Sequence, residues 1–288
     1  MREFYKVKKE LFVKYINRLV REYNKQFRMA QKGAKEEPVH DLRVLIKRFN
    51  ALFVFLDEAG IYKSNSQSFF IQLRQFFKSA GNLRDIQVHE SLIGKYGNLN
   101  DASLAGYKQY LEGKEKTSRS YFLIKSLNYP KKEQIQVKND IIKAVKSFKQ
   151  ETLTLQTTNF IMKRLKLIEK YLFRTDINQY LHKIRQTLKQ LRFFIEMMQS
   201  CTDPNPMEEV DFNEIKEIES ILGNWNDCSV LCGDLKRYRK YMRMLNGGPS
   251  DPGISELLGC IQQDMQKKVM DVRPRLLKLA YHLKYMML

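Results

Sequence analysis

The feature that most narrows what this chain can fold into is an internal repeat. His40, Arg43 and Lys47 lie over His182, Arg185 and Lys189 at an offset of 142 residues. At the same offset, the run Gly81, Asn82, Leu83, Arg84, Asp85 lies over Gly223, Asn224, Trp225, Asn226, Asp227. The two motifs stand 41 residues apart in each copy, so the match needs no gap. Chance supplies one such match but hardly both. The chain is therefore read as a tandem duplication, with a first repeat over residues 1–145 and a second over 146–288.

Helical spacing of apolar residues dominates both copies. The first is expected to form helices over residues 4–30, 38–58, 66–80, 83–95, 101–127 and 131–150. The second is expected to form them over 152–173, 177–200, 212–222, 225–245 and 254–283. Only 13 Gly and 7 Pro punctuate 288 residues, which favours long helices over many short strands. Loops rich in Pro, Asn and Gly are expected at 203–206 and 246–253. Gly81-Asn82 and Gly223-Asn224 read as a helix break or a tight approach between helices. The expected fold is all-α, two tandem four-helix-bundle-like halves related by a pseudo-twofold axis.

Charge is the loudest compositional fact. Lys plus Arg number 51 against 32 Asp plus Glu, a net charge of +19. Residues 1–144 hold 28 basic and 15 acidic groups, and residues 145–288 hold 23 and 17. Such an excess repels itself unless counter-charge arrives, so an anionic partner is the natural reading. The four cysteines, Cys201, Cys228, Cys232 and Cys260, form no CxxC pair and read as reduced, core-lining thiols. No apolar run approaches a membrane span, and no signal peptide opens the chain. A cytoplasmic location without membrane is the expectation. Neither GxxxxGK[ST] nor GxGxxG occurs, and no metal-ligand spacing stands out.

The charges are placed on faces. On a helical wheel, His40, Arg43 and Lys47 share one side and Leu42, Leu45, Ile46, Phe49, Leu52 and Phe53 the other. His182, Arg185, Lys189 and Arg192 likewise oppose Ile184, Leu188, Leu191, Phe194 and Ile195. A merely solvated face would mix acids with these bases as i,i+4 pairs, and neither rail contains an acid. In the first helix Lys14, Arg18, Arg21, Lys25 and Arg28 fall within about 40° of one line. Lys163, Lys166 and Lys170 are a shorter version in the second copy. Arg74 falls on Lys216 at the repeat offset. Like charges at these spacings destabilise a helix by a few tenths of a kcal/mol per pair, so an uncompensated stripe argues for a polyanion. His40 and His182 could donate to phosphate oxygens or serve helix-start bonding. Asp85 and Asp227 read as caps or as anchors for a rail arginine rather than as catalytic acids. Trp225 is expected in the core.

The duplicated His-x-x-Arg-x-x-x-Lys helices, each followed by Gly-Asn-x-x-Asp, resemble the CHAD domain family over about residues 4–285. That resemblance implies two four-helix bundles about a pseudo-twofold axis. It also implies a basic surface or channel that binds inorganic polyphosphate, and an association with polyphosphate granules. His40, Arg43, Lys47, His182, Arg185, Lys189 and Arg192 match the motif and inherit the binding role. Arg74, Lys216 and the cations of the first helix in each copy extend it by geometry. Two departures stand out: Asn50 where the second copy has Arg192, and Gln190 opposite Arg48. The rails are lopsided, so one half is expected to bind more weakly. A fused triphosphate-processing domain, which family members often carry, is not expected from these residues.

A linear polyphosphate has charge on every unit and no base or sugar to read. It needs Arg forks and mobile Lys charges along a groove, with no metal, cofactor or nucleophile. Binding of inorganic polyphosphate, and of other polyanions through the same groups, is the expected function, without enzymatic activity. The alternative is a nonspecific RNA- or DNA-binding protein, since phosphate contacts alone would serve it equally. Such proteins interleave exposed aromatics for stacking, whereas the Tyr and Phe here sit largely at core spacing.

Overall fold

The computed structural model describes residues 6–63, 67–96, 101–174, 176–203, 211–246 and 252–287. The expected loop at 203–206 falls largely outside them, as do residues 247–251 of the loop at 246–253 and the starts of the helices expected at 4 and 66. The described chain is all-α apart from two two-residue strands.

The first repeat forms α1 (Lys9–Gln31), α2 (Glu36–Glu58), α3 (Gln67–Lys95) and α4 (Asp101–Leu127). α5 (Lys131–Ser147) links it to the second, which forms α6 (Gln150–Leu172), α7 (Leu181–Gln199), α8 (Phe212–Asn246) and α9 (Pro252–Met287). A single 3-10 turn, Ile177–Gln179, precedes α7. β1 (Lys6–Val7) pairs antiparallel with β2 (Thr202–Asp203), tying the start of one repeat to the end of α7 in the other.

Local chemistry explains these helices. Phe12, Ile16, Leu19, Tyr23, Phe27 and Ala30 recur every three or four residues and form the buried face of α1. Gly33 (φ +106°) follows its end in a conformation open to glycine. α2 opens with Glu36 and Glu37 against its positive N-terminus. It closes on Gly60 (φ +67°), with Ile61 N–H donating back to the Leu56 carbonyl at 2.9 Å. The expected breaks at Gly81-Asn82 and Gly223-Asn224 do not occur: α3 and α8 run straight through them. A glycine in a helix interior is less favourable than alanine by about 1 kcal/mol, which neighbouring turns absorb.

The helices pair in the same order in each repeat, α1 on α2 and α6 on α7, then α3 on α4 and α8 on α9. The repeats meet along α2 with α7, α3 with α8 and α4 with α9. At the repeat offset α5 corresponds to the last part of α9, residues 273–287. Val137 and Ile141 of α5 fall on the buried Leu279 and Leu283, and α5 packs on α1 as α9 packs on α6, so α9 does in one helix what α4 and α5 do in two.

The apolar cores do not follow the boundary between residues 145 and 146. One large core draws on α1, α2, the first half of α3, Phe122 near the end of α4, α5, α6, α7, the start of α8 and the end of α9. At its centre Phe55 of the first repeat packs on Phe160 and Phe194 of the second, with ring centroids 5.5 and 4.7 Å away. The smaller core joins Ile86, Ile93, Leu104, Tyr107 and Leu111 to Cys228, Leu231, Leu235, Tyr238, Leu257 and Ile261. Each core is thus built by both repeats. Trp225 is only partly buried, at the rim of the larger one. Cys201, Cys228 and Cys232 are buried as expected, but Cys260 is exposed; all four are free thiols.

Candidate anion site between the repeats

Because α2 packs on α7, the two rails face each other. Arg43 and Lys47 from α2 come together with Arg185 and Lys189 from α7, and all four are partly buried. Burial is the main force on each, pushing the cationic form down. For Lys47 the facing Lys189, Arg43 and Arg185 add repulsion, and its ammonium is held down to about 7. Lys189 is lowered by burial first and by Arg185 next, with Glu219 acting against the shift. Beneath them sit Asp85 of α3 and Asp227 of α8, each within electrostatic reach of Arg43 and Arg185. Burial, and then the neighbouring Asp227, hold the Asp85 carboxyl above its usual range against the pull of Arg43. Four crowded cations thus share Asp85, Asp227 and, on the α7 side, Glu219.

Gly81 makes room for this. A Cβ at that position would stand 2.4 Å from Arg43 Nη1. The Arg43 guanidinium lies instead over the bare helix backbone, 4.9 Å from the Phe77 ring centroid, and donates to the Phe77 carbonyl at 3.5 Å. Of the two readings of the motif, the close approach holds, and the partner is a side chain. Gly223 has nothing within 4 Å of such a Cβ, so the two copies differ here.

They differ elsewhere as well. Position 77 of the first repeat corresponds to 219 of the second, where Glu219 replaces Phe77. Glu219 binds Lys189 at 3.4 Å and holds Arg192, which also pairs with Glu196. Glu196 in turn takes Arg48 of α2 at 3.3 Å. The rails are thus lopsided in their counter-charge as well as in their cations. The extra arginine of the second copy is neutralised, and the less compensated lysine is Lys47 of the first. The rails are not free of carboxylates in space, because α8 and α7 bring Glu219 and Glu196 to one of them. Neither acid has an equivalent in the first repeat, where Phe77 and Val54 stand, so the repeat pattern gave no signal for them.

The two histidines lie exposed at the head of the rails. His182 Nδ1 donates to Asn226 Oδ1 at 3.1 Å, and its Nε2 accepts from Gln186 Nε2 at 2.8 Å. In the first repeat Arg84 and Val44 occupy those two partner positions. Arg84 turns to Glu36, and His40 is depressed below the usual imidazole range by partial burial first and by Arg84 and Lys47 next.

The remaining cations are not gathered here. Lys14, Arg18, Arg21, Lys25 and Arg28 are exposed on the side of α1 away from its buried face. Arg18 reaches Ser200 Oγ at 3.2 Å, beyond the end of α7. Arg74 and Lys216 are exposed on α3 and α8. Lys166 and Lys170 are exposed on α6, and Lys163 pairs at 3.1 Å with Glu58, which also grips Arg164 at 2.6 and 2.8 Å. The single continuous track expected from all the ridges is thus realised only where α2 meets α7. Among the described residues, no group of three or more His, Cys, Asp or Glu could hold a metal ion. No helix there is long and apolar enough to cross a membrane.

The family model of the CHAD domain matches residues 14–236, more than three quarters of the chain. The chain belongs to the CHAD domain family. The crystal structure of the CHAD domain from the plant Ricinus communis is similar in fold, with a TM-score of 0.73 at 14% identity. The likeness covers 95% of this chain and 92% of that one. No curated protein matches the sequence. In this CHAD protein the matched span takes in both duplicated motifs and ends ten residues after Asn226.

Proposed function

We propose that this CHAD protein binds inorganic polyphosphate through the cluster between its repeats, with Arg43, Lys47, Arg185 and Lys189 as the principal contacts. The observation that carries the reading is the convergence of these four cations from two helices onto a site with too few carboxylates to neutralise them. A buried like-charge cluster is unfavourable in the free protein, and a multivalent anion relieves it. Arg43 and Arg185 can offer planar forks to phosphoryl oxygens, and the lysines mobile point charges. His40 and His182 stand at the head of the cluster, where either ring could add a donor. No catalytic step is part of the reading; Asp85 and Asp227 act as counter-charge that keeps the arginines in place. RNA is the weaker candidate, because this cluster contains no exposed aromatic on which a base could stack.

The deciding experiment is competition. Labelled long-chain polyphosphate is bound, then challenged with RNA, DNA and orthophosphate at fixed salt. Nucleic acids are expected to compete poorly. The double variant Arg185→Ala/Lys189→Ala should weaken binding by at least about tenfold and flatten its salt dependence while leaving helicity unchanged. Equal displacement by RNA, or an unaffected double variant, would overturn the assignment.

A further inference from the structure

The last third of α8 carries positive charge that the central cluster does not use. After Asp234, Lys236, Arg237, Arg239, Lys240 and Arg243 follow with no acid among them. Asp234 is already occupied by Tyr107 at 2.9 Å, Lys114 at 2.8 Å and Arg237 at 3.0 Å. Lys236, Lys240 and Arg243 are exposed and pair with no carboxylate among the described residues. Arg239 reaches Ser255 Oγ, at 3.5 Å. Together with Met244 the four line a shallow open groove. The helix dipole favours cations only over the last turn, and α8 runs on to Asn246, so it does not account for Lys236 to Lys240.

This pole connects to the central site along one strip of α8. Asn226, which holds His182, is followed by Ser229, Gly233, Lys236, Lys240 and Arg243 at steps of three, seven, ten, fourteen and seventeen. All of them fall within about 50° of one line, and Lys240 lies about 21 Å beyond Asn226. The strip contains no acid, and its middle is Ser and Gly, which let a chain lie close to the helix.

We infer that Lys236, Arg239, Lys240 and Arg243 form a second contact for the same polyanion, reached by the strip from Asn226. The inference rests on the polyphosphate reading above and adds length selection to it. A short anion fills the central cluster and stops. A chain long enough to run about 20 Å further engages the second pole as an intramolecular event, at high effective concentration. Affinity therefore climbs with chain length beyond what the central contacts provide.

The test compares tripolyphosphate with long-chain polyphosphate on three variants. Lys236→Gln/Arg239→Gln/Lys240→Gln/Arg243→Gln removes four charges from the groove and should leave the fold intact, as a melting curve will check. It is expected to weaken long-chain binding about tenfold or more and to leave tripolyphosphate unchanged. A control, Lys132→Gln/Lys143→Gln/Lys146→Gln/Lys149→Gln, removes the same charge from α5 and its flank and should affect neither ligand strongly. Arg185→Ala/Lys189→Ala should weaken both ligands. An α8 variant that binds long chains normally, or one that loses no more than the α5 control, overturns the second contact and leaves the central reading standing. If Arg185→Ala/Lys189→Ala weakens neither ligand, the central reading itself fails.

Discussion

In the free protein at neutral pH, the Lys47 amine, held down to about 7, is close to half protonated. A bound polyanion reverses the repulsion from Lys189, Arg43 and Arg185, so binding draws a proton onto Lys47. Affinity is expected to rise as pH falls through 7. Calorimetry in two buffers of different ionisation enthalpy should show proton uptake at pH 7.5, and Lys47→Arg should abolish most of it. The same depression acts on folding with a defined sign. Between about 7 and 10.5 the unfolded chain holds a proton on Lys47 that the folded one lacks, so stability gains with rising pH there. Lys47→Met should accordingly raise the melting temperature at pH 7 while weakening binding. His89 illustrates the acid side. It is buried near Asp234, Lys114, Asp227 and Arg237, neither ring nitrogen has a hydrogen-bond partner among the described residues, and burial holds it down to about 4. Its contribution to stability is present above about 6.5 and is lost as pH falls toward 4. His89→Leu, which copies Leu231 of the other repeat, should gain on the parent protein in melting temperature between pH 7 and pH 5.

At the level of the helix, equivalent positions in the two repeats should respond differently to one substitution. Gly81→Ala improves helix propensity but drives a methyl against the Arg43 guanidinium, which must move. It is expected to lower affinity for polyphosphate with little loss of stability. Gly223→Ala meets nothing within 4 Å and should stabilise the protein by about 1 kcal/mol with binding unchanged. Chemical denaturation together with a binding titration separates the two outcomes. These positions also mark how far the sequence could be read. Apolar periodicity placed the helices well, because burial on one face leaves a local signature, as in Phe12 to Ala30 of α1. The rails of α2 and α7 were legible for the same reason. The role of Gly81 was not, because it depends on a side chain 38 residues away. Glu219 was invisible as a partner of Arg192, because it reaches it only through the packing of α8, whereas Glu196 stands four residues after Arg192 on the same helix and is legible as an i,i+4 partner.

Considered as one body, the molecule is held together by cores that neither repeat completes. Phe55, Phe160 and Phe194 meet across the repeat boundary, and Tyr107 packs on Tyr238 with centroids 5.1 Å apart. Fragments 1–145 and 146–288 expressed separately should therefore show no cooperative thermal transition, whereas the full chain should show one. Phe194→Ala should destabilise it by about 3–5 kcal/mol, as a large buried aromatic does. A thermal transition in the isolated first fragment as steep as that of the full chain would contradict this. The repeat was plain in the sequence, but the sharing of cores was not, since an offset of 142 relates two segments without saying whether they fold beside or into each other.

The seam at α2 and α7 has a consequence for how such a protein could begin. A half-length ancestor would have exposed the partner-facing side of Phe55 or Phe194, and only a second copy could have covered it. Two identical copies would have met with like-charged arginines and lysines opposed, which weakens their assembly. Joining the copies in one polypeptide makes that meeting intramolecular, so the opposed charges can persist at the seam.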